Sequence, residues 1–252
     1  MKLEFKEFSF ETFKEEMTKL KDEKHFDYLV TIIGEDFGPE EGLGCIYILE
    51  NTDTHERISV KQIAKKIGDD YVIPSLYYVW RSADLMEREV FDFFGIKFLG
   101  HPDMRRLFLR NDFVGYPLRK DYDMSPEHNQ FPMTDEPETD WTSEWNLNDL
   151  GELVETKHRL FQPNDYVINF GPNHPSTHGV LRLQTVVNDE TIKRIYPHLG
   201  YIHRGMEKMM ESMTYPQTLA LTDRLNYLCA MHHRHALVGV IEEAMGIELN
   251  DR

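Results

Sequence analysis

The stretch from Asp123 to Lys157 constrains this chain more than any other, because it cannot supply a core of its own. It holds ten acidic residues, one lysine and three prolines (Pro126, Pro132, Pro137), for a net charge of −9. Self-repulsion and low hydrophobicity favour an extended linker over packed structure. Trp141 and Trp145 are expected to pin parts of it to a surface. Three segments follow: a folded part over 1–122, the acidic linker over 123–157, and a second folded part over 158–252. With 252 residues, 40% of them hydrophobic, both outer segments have the material for a core.

Before the linker the pattern is that of an α+β domain with a mixed sheet. Phe10, Phe13, Met17 and Leu20 make one stripe of a helix over Ser9 to Lys21, with Ser9 as its expected N-cap. Tyr28 to Ile33, Leu43 to Leu49 and Arg57 to Ile63 alternate as strands, and Asn51 to Thr54 turn the last two. After the apolar segment Tyr71 to Trp80, Ser82 starts a helix that runs to Phe94 and stops at Gly95. Glu87, Arg88, Glu89 and Asp92 on that helix are expected to form a solvated or salt-bridged face without catalytic work.

From Lys97 to Lys120 six basic residues stand against two acidic ones, a local +4 in a chain of −16. Interleaved with Phe, Leu and Pro, this island is expected to lie as an extended arm on another protein.

Beyond the linker, Asp165 to Phe170, Val180 to Val187 and Thr191 to Tyr196 read as a small antiparallel sheet followed by helices. The first two strands are joined by G-P-N-H-P-S-T-H-G. Pro172 and Pro175 deny helix to their predecessors, so His174 and His178 cannot be a zincin pair one helical turn apart. Either they bond loop carbonyls, or one imidazole is held beside a cleft as a proton donor, which its pKa near neutrality permits. Met206, Met209, Met210 and Met213 form a packing stripe, and Pro216 opens a helix expected to reach Met245 unbroken. His232, His233 and His235 do not share a helix face, so no metal site is assigned to them.

Charge and cysteines exclude several classes. Forty-four acidic against 28 basic residues argue against a nucleic-acid binder. The first 24 residues have no apolar run of the kind a leader needs, and no stretch approaches 18 consecutive apolar residues. Cys45 and Cys229 form no C-x-x-C pair, so no iron–sulfur cluster is held by this chain's thiolates.

E-R-E-V-F-D-F-F-G-I, G-H-P-D-M-R-R-L and P-L-R-K-D-Y resemble the C component of bacterial NADH:quinone oxidoreductase, respiratory complex I. G-P-N-H-P-S-T-H-G-V-L-R-L, P-H-L-G-Y-I-H-R-G-M-E-K and T-D-R-L-N-Y-L resemble the beginning of the D component of the same enzyme. The chain is therefore similar to the fused C/D form, ending early in its D part. The resemblance implies a peripheral-arm subunit on the cytoplasmic side of the bacterial cell membrane, part of a proton-translocating oxidoreductase. It implies a C part that is a scaffold without cofactor and a D part that helps to hold a quinone. His178 and Tyr227 match the two positions implied to hold the quinone headgroup, and they are the catalytic and binding residues expected here. Iron–sulfur clusters, flavin and NAD are implied on partner subunits, with electrons arriving from a cluster-bearing, B-like partner and membrane contact made through other subunits.

Two departures stand out: Asn226 where the family often has an acid, and His232-His233-Arg234 in place of a stretch that commonly contains Asn and Glu. The competing function is the large subunit of a membrane-bound nickel–iron hydrogenase. It needs a C-x-x-C where this chain has Asn226-Tyr227-Leu228-Cys229. A third function is an assembly fragment inactive on its own.

Overall fold

Alternating apolar residues in the first quarter of the chain build a four-stranded sheet. A computed structural model describes residues 5–123, 125, 140–172, 179–226 and 228–248. Strands β1 (Phe5–Glu7), β2 (Tyr28–Asp36), β3 (Leu43–Glu50) and β4 (Arg57–Ile63) lie in the order β1-β4-β3-β2. Tyr47 on β3 stands opposite Ile32 and Val60, and all three are buried. Helix α1 (Phe13–Asp22) turns Phe13, Met17 and Leu20 inward, with the Phe13 ring 5.2 Å from that of Tyr47. Its N-cap is Thr12 rather than Ser9, which lies one turn earlier and accepts from the Thr12 amide at 3.3 Å.

The second sheet contains the part of the chain that sequence alone reads least well. Strands β5 (Lys65–Ile67), β6 (Asp70–Pro74), β7 (Ile96–Leu99), β8 (Trp141–Leu147) and β9 (Leu153–Arg159) lie in that order. β6 and β7 are parallel, and the crossover between them is helix α2 (Ala83–Phe94). α2 ends at Gly95, whose φ of +72° is left-handed, as the sequence suggests. The helix sits tight on β2: a Cβ at Gly34 would stand 2.6 Å from the Phe94 ring.

Residues 141–159, which charge places in or beside an extended linker, form the hairpin β8–β9 at the edge of this sheet. An edge hairpin tolerates acids because one face stays wet; β9 is exposed along nearly its whole length. Its turn is local chemistry, with Asn148 Oδ1 accepting from the Leu150 and Glu152 amides and Gly151 at φ +76°. Trp145 anchors the hairpin, its ring under the Lys97 ammonium at 3.5 Å. The remainder of the expected linker lies largely outside the described residues.

Strands β10 (Tyr166–Phe170), β11 (Arg182–Asn188) and β12 (Thr191–His198) form an antiparallel sheet in sequence order. After it come helices α3 (Met206–Glu211), α4 (Tyr215–Thr222) and α5 (Ala230–Met245). The expected continuous helix from Pro216 to Met245 is thus broken over 223–229. Two features end it. Arg224 and Leu225 bond back three residues to Leu221 and Thr222, and Asn226 Oδ1 takes the Leu228 amide at 3.0 Å. A side chain that offers the backbone a turn competes with helix.

The chain divides into two compact units, one reaching to His203 and one from Arg204 onward. The three-stranded sheet therefore groups with the residues before it, and the helices form the second unit.

Candidate functional site

The hairpin connection that carries His174 and His178 is closed at its base. Phe170 pairs with Leu183, the Leu181 amide donates to the Pro172 carbonyl at 3.0 Å, and Gly171 has φ +90°. A Cβ at Gly171 would lie 2.0 Å from the Leu181 carbonyl oxygen, so only glycine fits this close approach. His174 and His178 themselves lie outside the described residues, as does Tyr227. Next to Tyr227 in the chain, Asn226 is described: its carbonyl takes the Cys229 amide at 3.0 Å. In the same unit, Asp223 and Arg234 are ion-paired and line a shallow cleft with Met231, His235 and Val238.

The described residues hold their densest chemistry elsewhere, around α2. Of the charged residues expected to be solvated or salt-bridged, Glu89 is exposed, while the other three are interior and two of them ion-paired: Glu87 and Asp92 are 0% exposed and Arg88 is 4% exposed. The helix is covered on that side by the chain returning from β7, so the charges meet partners rather than water. Arg88 donates through Nε and Nη2 to the carbonyls of Arg105 and Arg106, both at 3.1 Å. Arg106 Nη1 bonds Asp92 Oδ1 at 2.8 Å, and its Nη2 reaches the carbonyls of Phe113 and Gly115.

Neighbouring groups show how their environments differ. Burial would raise the Asp103 carboxyl, but hydrogen bonds from Arg105 and the charges of Arg88 and Arg105 outweigh it and hold Asp103 well below the usual carboxylate range. His101 is pushed down to about 4, chiefly by burial. It is therefore neutral, with Nδ1 accepting from the Asp103 amide at 3.0 Å and Nε2–H directed at the Asp84 carbonyl at 3.2 Å. Glu87 has no cationic side chain bonded to it among the described residues. Its Oε1 accepts from the Leu76 amide at 2.7 Å, its Oε2 shares a 2.6 Å bond with Ser75 Oγ, and burial pushes it up to about 8.

Much of the basic island is folded onto the chain's own α2 and the loop beside it. Arg105 pairs with Asp103, Arg106 with Asp92 and Arg110 with Asp112, and Arg119 donates to the Phe94 carbonyl. Two of these acids, Asp103 and Asp112, lie within the island itself, and one, Asp92, comes from α2.

Residues 7–128 match the family described as respiratory-chain NADH dehydrogenase, 30 Kd subunit. Over 242 residues, 96% of this chain, it is 51% identical to the NADH-quinone oxidoreductase C/D subunit of Phocaeicola vulgatus, of which it covers 46%. The C/D subunit of Bacteroides thetaiotaomicron is also 51% identical, over 94% of this chain and 46% of the relative. The chain belongs to the NADH-quinone oxidoreductase C/D subunit family.

The chain spans about half the length of these C/D relatives. A more distant C/D subunit, from Bdellovibrio bacteriovorus, is 34% identical over 91% of this chain and 39% of its own. Among solved structures, a trypsin-resistant fragment of Nqo5 is 33% identical over 38% of this chain and 79% of its own, with a TM-score of 0.35. Asp92, Arg88 and Arg106 fall inside the 30 Kd match, whereas the motifs around His178 and Tyr227 follow it. Asp92 has the salt bridge that the sequence allows for, but its complete burial and its bonds to three loop amides are not read from the residue order. Its signal was an acid inside the aromatic run Phe91-Asp92-Phe93-Phe94, with two arginines shortly after it.

Proposed function

We propose that this chain forms part of the quinone-reducing peripheral arm of an NADH:quinone oxidoreductase. In this role the residues before the acidic stretch are scaffold and the His178 loop and Tyr227 help to hold the quinone headgroup. The carrying observation is its 51% identity, over nearly all its length, to C/D subunits of that enzyme. Reducing a quinone to a quinol takes two electrons and two protons, so each carbonyl oxygen needs a donor. An imidazole at His178 can release a proton near neutral pH, and the Tyr227 phenol, ordinarily titrating near 10, can donate a hydrogen bond as charge develops on the quinone oxygen. The contact of Gly171 with Leu181 and the bond from the Leu181 amide to the Pro172 carbonyl hold together the two described residues flanking the His178 segment. Electrons come from an iron–sulfur cluster on a B-like partner, while flavin and NAD belong to further subunits. The enzyme is proton-translocating, and the chain meets the cytoplasmic face of the bacterial membrane through its partners.

The test uses the assembled enzyme. His178→Ala and Tyr227→Phe should each lower quinone reduction by about ten- to ten-thousand-fold, equivalent to roughly 1.4 to 5.5 kcal/mol, while ferricyanide-type acceptors are reduced at the parent rate. His174→Ala should alter stability and spare quinone affinity. Equal slowing of both acceptors by His178→Ala, or no slowing of either, would remove His178 from the quinone site. The isolated chain should show no quinone reductase activity, as assayed with NADH and quinone on cluster-free protein.

A further inference from the structure

The loop between β7 and β8 is held from one side and used from the other. On its inner side, the fully buried Asp92 accepts through Oδ2 from the amides of Leu107, Phe108 and Leu109 at 3.0, 2.7 and 2.9 Å. Its Oδ1 takes Arg106 at 2.8 Å. Three successive amides aimed at one carboxylate oxygen fix the loop backbone, because moving any of them strands a buried polar group. That fixation also sets the Phe108 ring against Phe93 of α2, with centroids 5.6 Å apart and planes 23° from parallel.

On the outer side lies the exit of β12. The His203 imidazole stacks on Phe93 at 4.8 Å and 25°, and tilts on Phe108 at 5.4 Å. Gly200, at φ +91°, approaches Phe108 so closely that a Cβ would lie 1.9 Å from its carbonyl oxygen. Arg105 lies over the Tyr196 ring at 5.0 Å. Each contact depends on residue type: a left-handed glycine, two phenyl rings from different elements and a guanidinium over an aromatic face.

We infer that Arg105–Leu109 is a preformed seat that registers the hairpin β11–β12 and its exit, through Tyr196, Gly200 and His203, onto the scaffold, with Asp92 as the positioning residue of the seat. The partner that this surface fits is the chain's own segment from Tyr196 to His203.

Nuclear magnetic resonance on the labelled full chain tests it. The ring protons of His203 should be displaced by the ring currents of Phe93 and Phe108. Gly200→Ala should abolish that displacement and speed exchange of the His203 amide by about tenfold or more, while the Leu107, Phe108 and Leu109 amides stay protected by Asp92. Asp92→Asn should speed exchange at those three amides and shift the His203 resonances as well. Gly151→Ala is the control: Gly151 shares the positive φ, but its Cβ would meet open space, so it should move neither signal. If Asp92→Asn frees the three amides and His203 stays in place, Asp92 is not the positioning residue. An unmoved His203 in Gly200→Ala overturns the seat itself. Should Asp92→Asn fail to fold, Phe108→Leu decides, since it removes the ring without touching the amide bonds: loss of the His203 displacement supports the seat, and its persistence refutes it.

Discussion

Helix α2 and helix α5 invert the usual expectation about what goes inside. α2 carries Glu87, Arg88 and Asp92 and buries all three, whereas α5 carries Met231, Val240 and Met245 and leaves them 84%, 63% and 66% exposed. No described residue of α5 is buried. The difference lies in partners. A charge can be buried when every polar atom on it finds a mate, and Asp92 finds four donors. An apolar side chain is buried only where another element covers it, and propensity or composition cannot provide that element.

The harshest test of this contrast is Arg106→Glu. If the α2 cluster were a solvated face, the change would be tolerated; with Asp92 fully buried, it sets two carboxylates against each other in the interior. The expected loss is at least about 3–5 kcal/mol, the scale for breaking a buried ion pair, read as unfolding of the first unit in urea titration. A folded variant with a near-parental midpoint would refute the buried network.

Glu87 sharpens the comparison by pH. Its carboxyl titrates at about 8 when folded, against an ordinary 4.5, so the native state holds a proton that the unfolded chain has released. Stability from this group is therefore complete below pH 4.5 and declines as pH rises through about 8. Glu87→Gln keeps an acceptor for the Leu76 amide and a donor for Ser75, and removes the titration. Its unfolding free energy should exceed the parent's increasingly between pH 5 and 8, by on the order of a few kcal/mol at the upper end. Parallel stability curves for the two proteins across that range would contradict a buried, proton-bearing Glu87.

The smallest effect belongs to α5. Val240→Ser removes an apolar side chain that is already mostly in water, so thermal unfolding of the isolated chain should change by no more than about 0.5 kcal/mol. A loss of roughly 2 kcal/mol, the scale of a core valine, would mean that α5 is packed in solution.

Much of the first unit is legible in the residue order. The alternation in β2, β3 and β4, the turn at Asn51 and the glycine stop of α2 all follow from interactions within a few residues, and they sit where the sequence places them. The family too is carried by local motifs, from E-R-E-V-F-D-F-F-G-I to T-D-R-L-N-Y-L. The roles of His178 and Tyr227 come from that resemblance and not from periodicity, which leaves a loop histidine as readily structural as functional.

What the sequence by itself determined is therefore the set of local elements and the family, because periodicity, capping and motif identity act over short spans of chain. Only the tertiary structure decided which charges are inside. Asp92 is mated with donors 14 to 17 residues away, and a local window shows the acid without its partners. It also turned half of an acidic stretch into an edge hairpin, because the Trp145 ring found Lys97 and β8 found β7. And it broke the last long helix after Thr222, where Arg224 and Leu225 bond back three residues and Asn226 Oδ1 takes the Leu228 amide, while no described residue of α5 is buried to hold the helical pattern in place.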